Sequence, residues 1–222
     1  VVGIRLAHRP ALTLTVTAAA TVAGLWVFGG LAQDVIGSEE FFFFDLSAVR
    51  YLAAHPLAAL TTSARAINLL TLPPWLLLAG LVIAAVTWRS QPRIAGATGL
   101  SLAGQWLIVE LTVALVNRAP PAVVPMVARF NYGFPSEHVA MVTALACLAA
   151  WPWTRPGWRR TVVRFGAATI VVTLTGTARV ILLVEYPSDT IGGAAVAAAW
   201  TLLVCLAFDP ERRSAEQPGT GQ

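Results

Sequence analysis

Lysine is absent from the chain: all fifteen basic residues are arginine. Charge of either sign is scarce as well, at 12% of residues against 57% hydrophobic, and the mean hydropathy is +0.70. A chain of 222 residues with so little polar surface is excluded from the ordinary soluble class and belongs in a bilayer. Only two cysteines occur, Cys147 and Cys205, both inside apolar runs where a free thiol behaves as a small hydrophobe. A disulfide framework and a cysteine metal motif are thereby excluded. The eleven acids leave a formal +4, yet basic patches interleaved with aromatics are missing, so no nucleic-acid partner is expected. Internal repeats and long polar insertions are missing too. One membrane domain over 1–208 and a short tail over 209–222, read as disordered, account for the whole sequence.

What the chain has is apolar runs. Six spans, about 11–32, 66–88, 94–116, 138–153, 162–184 and 190–208, each near the roughly 20 residues a bilayer core requires, predict an all-α integral-membrane bundle of six transmembrane helices. The first run, with Arg5 and Arg9 before it and Gly30-Leu31-Ala32 at its end, has the outline of a secretory signal; its length marks it as a span. Ten of the fifteen arginines (Arg5, Arg9, Arg89, Arg93, Arg155, Arg159, Arg160, Arg164, Arg212 and Arg213) fall on one side of these spans, which by the positive-inside rule places both termini in the cytoplasm. Between the first two spans, Glu39 to Arg65 carries Phe41 to Phe44 followed by Asp45, Val49, Leu52 and Ala53 at near-helical spacing. This predicts an amphipathic helix at the outer interface with its aromatics at headgroup depth; a solvated connector is the alternative.

Ionisable residues gather at the outer ends of the spans. Pro135-Ser136 opens the fourth span as a helix start should, with Ser136 as N-cap and the free amides of Glu137 and His138 forming a ready anion site. His138 is one of only three histidines, and an imidazole suits proton transfer near neutral pH. Arg179 lies well inside the fifth apolar run and Glu185 follows near its outer end; ionisable groups at such places are functional candidates by default, with a structural ion pair to Glu110 or Glu185 as the plainer role. Asp189 follows Tyr186-Pro187-Ser188 at the start of the sixth span, where the helix dipole favours an acid. Glu110, in the middle of the third span, is expected to pair with Arg118 or Arg179, since buried acids are usually paired.

Two of these stretches, Gly133 to His138 (GFPSEH) and Ala178 to Asp189 (ARVILLVEYPSD), resemble the second and third signature motifs of the PAP2 family of phosphatases, P-S-G-H and S-R-x5-H-x3-D. Pro135, Ser136 and His138 fit the second motif, with Glu137 in the Gly place. Arg179 and Asp189 fit the third, with Glu185 where the family's nucleophilic histidine belongs. Of the first motif, K-x6-R-P, only an arginine is matched. In one alignment Val113 takes the Lys place and Pro120 that of the motif Arg; shifted two residues back, Leu111 takes the Lys place and Arg118 that of the motif Arg, followed by Ala119.

The resemblance implies a phosphate held by Arg118, Ser136 and Arg179, with Arg129 the remaining candidate for a further cation. It also implies a catalytic set of His138 as proton donor to the leaving group, Glu185 in the nucleophile's place, and Asp189, which in the family orients that nucleophile. The implied fold has six helices with a helical outer segment after the first. Its site faces outward from the plasma (inner) membrane, takes a lipid phosphate or polyprenyl phosphate, and uses neither cofactor nor metal. Three roles stay open. One is a hydrolase in which Glu185 attacks phosphorus or acts as a base on water, with His138 as acid. The second is a non-catalytic lipid-phosphate binder, or the partner subunit of another membrane enzyme. The third is a channel or transporter, for which the sequence offers no inverted repeat or broken span pair.

Overall fold

A computed structural model describes residues 10–38, 40–56, 58–121, 133–153 and 157–209. Among them are eight helices: α1 (Pro10–Gly37), α2 (Glu40–Ala54), α3 (Ala58–Leu70), α4 (Pro73–Thr87), α5 (Pro92–Val116), α6 (Glu137–Ala150), α7 (Trp158–Ile181) and α8 (Pro187–Ala207). Proline occupies the first turn of α4, α5 and α8. There its missing N–H is one the helix would leave unbonded in any case, and its fixed φ is already helical.

Four of the helices, α1, α5, α7 and α8, are long and apolar enough to cross a bilayer, and α3 with α4 pass the same test as a pair bent by 44°. The single span expected over 66–88 is thus two helices. Leu72 takes an extended conformation (ψ 133°) ahead of Pro73-Pro74, as a residue before proline prefers. At 14 residues α6 is apolar but short of the roughly 20 a full crossing takes. The expected interfacial helix over 39–65 is also divided, into α2 and the first half of α3. On α2, Asp45 and Val49 turn inward while Phe43, Phe44 and Tyr51 stay exposed, which is the expected amphipathic pattern at i and i+4.

Helix α8 sits at the centre, packed against α1, α5 and α6, with α7 and α2 at its flanks. Its alanine- and glycine-rich face allows backbones to come close, as small residues do between helices in lipid. On α1, a Cβ added at Gly24 would lie 2.8 Å from the Ala195 carbonyl oxygen of α8. The outside of the bundle is apolar, with Trp26, Leu81, Val86, Leu115 and Val163 all exposed, as a lipid-facing surface requires. The ends of α1, α5 and α7 and the starts of α6 and α8 therefore meet at one end of the bundle, roofed by α2 and with α3 against α7, and that end carries the residues singled out from the sequence.

Candidate functional site

Arg118 follows directly on the end of α5, where Asn117 adopts a left-handed conformation (φ 47°) and turns the chain inward. Its guanidinium donates from Nη1 to Ser188 Oγ (2.7 Å) and Asp189 Oδ1 (2.5 Å), and from Nη2 to Asp45 Oδ2 (2.6 Å). It also stacks over the Tyr186 ring, 4.1 Å from the centroid. Asp45 is wholly buried and accepts in addition from the Ser188 backbone N–H (3.0 Å) and the Ser188 hydroxyl. Asp189 Oδ2 caps α8 by accepting from the Tyr186 N–H (2.9 Å). Burial pushes the Tyr186 phenol above its ordinary value, with the Arg118 charge acting the other way. Asp45 enters this centre from α2, where the sequence had marked only an amphipathic pattern.

Arg179 forms a second, separate centre in the last turn of α7. Nη2 donates to Glu185 Oε1 (2.8 Å) and Nη1 to Asn68 Oδ1 of α3 (2.6 Å), with both ionised side chains only 2% exposed. Between them the chain leaves α7 and folds back through Leu183, which has a positive φ of 58°, so that Glu185 returns to the arginine six residues before it. Of the two pairings expected for Arg179, the one with Glu185 is thus found. Glu110 is exposed on α5, and the salt bridges of Arg118 and Arg179 run to Asp45, Asp189 and Glu185 instead. The structural pair expected of Glu110 gives way because each arginine already has an acid nearer its own buried guanidinium.

The start of α6 links the two centres. Ser136 is the N-cap: its hydroxyl accepts from the Val139 N–H (3.2 Å) and its own N–H donates to the Asp189 carbonyl (2.9 Å). That hydroxyl accepts within its own helix turn and keeps its O–H as a donor. The crossing is tight, since a Cβ at Gly193 would sit 2.5 Å from the Ser136 carbonyl oxygen. Beyond the cap, Glu137 and His138 line a cleft of about 760 Å³ between α4, α5 and α6. Both ring nitrogens of His138 are buried with no hydrogen-bond partner among the described residues. The ring's charged neighbours are Arg179 and Glu185.

Arg118, Ser136, His138, Arg179, Glu185 and Asp189 are therefore all at one end of the bundle, while Arg129 lies outside the described residues. The sequence reading missed Asp45 and Asn68, each brought in by a helix remote in sequence from the arginine it holds. Among the described residues, the two guanidinium groups are ion-paired with three carboxylates, Asp45, Asp189 and Glu185.

The family model of the PAP2 superfamily matches residues 99–213, more than half of the chain, from α5 through α8. All six of the residues just named fall in that stretch. The fold is similar to the crystal structure of a transmembrane PAP2-type phosphatidylglycerolphosphate phosphatase from Bacillus subtilis, with a TM-score of 0.66 at 16% identity over 93% of this chain and 98% of that one. No curated protein matches the chain.

Proposed function

The chain belongs to the PAP2 superfamily, and on that premise we propose that it binds a membrane lipid carrying a phosphate or diphosphate at the end of the bundle formed by α5 to α8, without the family's phosphohistidine step. The observation that carries this reading is the Arg179–Glu185 pair, buried at 2.8 Å in the place where the family sets its phosphate-binding arginine and its nucleophilic histidine. The planar guanidinium fork suits phosphate oxygens as well as it suits a carboxylate. A phosphate arriving at Arg179 would take the place of Glu185, and the displaced carboxylate would repel it rather than attack it. Asp189, whose family part is to orient the nucleophile, holds Arg118. The arginine asymmetry of the sequence supports a site facing outward from the plasma membrane, with both termini in the cytoplasm.

The test combines thermal shift with phosphate release. Purified wild type should gain stability with phosphatidic acid or phosphatidylglycerolphosphate, as with any ligand of the native state, and release no phosphate above background. Arg179→Lys should lose most of the shift, because an ammonium cannot replace the fork. A shift unchanged in that variant would remove Arg179 from the site.

A second reading is hydrolysis through Glu185, with His138 as proton donor. It is favoured by the His138 ring, buried without a partner beside Arg179 and Glu185. Wild-type phosphate release that disappears in both Glu185→Gln and His138→Ala would establish this second reading and displace the first.

A further inference from the structure

The cleft between α4, α5 and α6 has a chemistry that a phosphate alone does not explain. Its walls are apolar, with Leu77 and Leu81 from α4, Trp106 from α5 and Met141 from α6, and its outer end is closed by Glu137 and His138. It holds about 760 Å³, room for an alkyl chain. Glu137 is partly buried there, and no hydrogen bond or ion pair is made to its carboxylate among the described residues. Its charged neighbours are Glu110, Glu185 and Arg179. Arg179 is ion-paired with Glu185, whereas Glu137 and Glu110 make no ion pair among the described residues. The second stands one helical turn beyond the cleft-lining Trp106, and positions i and i+4 share a helix face. The position of Glu110, without an explanation as a structural pair, then acquires one: it lies on the side of α5 that edges the cleft.

An apolar trough with an acidic outer end fits an amphiphile whose head is cationic there. We propose that the cleft takes the chain of a lipid whose headgroup bears a protonated amine beside its phosphate, with Glu137 receiving the amine, Glu110 adding to the field, and the phosphate turned towards Arg179. This deepens the lipid-phosphate reading above and rests on it for the phosphate half of the headgroup. The amine half stands on Glu137, Glu110 and the cleft. A helix-dipole role for Glu137 in the first turn of α6 would affect stability but would not tell one lipid from another.

The experiment compares three short-chain lipids on the full-length protein in detergent: dihexanoyl phosphatidylethanolamine, its N-acetyl derivative, which keeps the shape and loses the positive charge, and dihexanoyl phosphatidic acid. Affinities are read from thermal shift against lipid concentration. Wild type should bind the free amine about tenfold more tightly than the N-acetyl form, the equivalent of about 1.4 kcal/mol. Glu137→Gln should bring the two affinities together, and Ala103→Phe, which fills the cleft from α5, should weaken both. Equal affinities in wild type, or a preference for the amine that survives Glu137→Gln, would overturn the assignment. Phosphatidic acid separates the two levels. If it produces no shift while the amine preference holds, the lipid-phosphate reading fails and the amine site stands. If it shifts wild type but the amine confers nothing, the amine site fails alone.

Discussion

Arg118 and Arg179 are both buried at the same end of the bundle, yet they are held in different ways. Arg118 has two carboxylates, a hydroxyl and an aromatic face, and ties together α2, the end of α5 and the first turn of α8. Arg179 has one carboxylate and one amide. Among the described residues the first cation contacts two carboxylates and the second one, so an incoming anion meets more carboxylate at Arg118 than at Arg179. A like-charge neighbour is costly in a low-dielectric interior. The contrast makes Arg118 a staple for the roof of the site and leaves Arg179 as the cation able to exchange partners.

The most severe way to break this comparison is Arg118→Ala. It would leave Asp45 and Asp189 buried without their cation and should destabilise by about 3–5 kcal/mol, the usual cost of breaking a buried pair from one side. Arg179→Ala strands a single carboxylate and should cost less, as measured by denaturation midpoints in one detergent; the opposite ranking would mean the staple has been assigned to the wrong arginine. Next in size is Gly193→Ala, whose new methyl must push Ser136 away from α8 at about 1–3 kcal/mol, the range for overpacking. Because Ser136 is bonded to Asp189, that variant should disturb the Arg118 centre more than the Arg179 one, which cysteine-labelling rates on α2 and α3 would reveal.

Glu185→Gln sharpens the comparison from the other side. The isosteric amide can still accept from Arg179 but no longer opposes its charge, so phosphate affinity should rise about tenfold, while the melting temperature without ligand falls because a buried guanidinium has lost its counter-charge. Smallest is Asn68→Ala, which deletes one hydrogen bond to Arg179 and should cost about 1–2 kcal/mol, as a bond to a charged group commonly does. An equal loss of phosphate affinity in Asn68→Ala and Asp45→Asn would erase the distinction between the two centres.

How far the sequence could be read depended on the distance over which each interaction acts. Local signals were legible. Pro187 marked the start of α8, Ser136 was recognisable as a cap from Pro135-Ser136 ahead of an apolar run, and the six-residue return from Arg179 to Glu185 could be named as a pair. Non-local partners were not. Asp45 reaches Arg118 across 73 positions and Asn68 reaches Arg179 across 111, and no spacing rule on a single helix reports such meetings. Glu110 was misjudged because burial was inferred from its apolar surroundings, whereas it is exposed, one turn beyond the cleft-lining Trp106 of α5. The break before Pro73 did have a signal, in the proline pair itself, but a continuous apolar run overrode it.

That break has a mechanical consequence. Helix α3 is docked on α7, whereas α4 is docked on α5 and α6, and the two helices are joined through the bend at Thr71 and Leu72. Asn68 therefore stands with Arg179 on one side of the bend, while the wall of the cleft formed by Leu77 and Leu81 stands on the other. A change in the bend angle alters the width of the cleft without drawing Asn68 off its arginine. The joint lets the opening and the anion centre keep separate tolerances: one can yield to the girth of a chain while the other stays set for a charge.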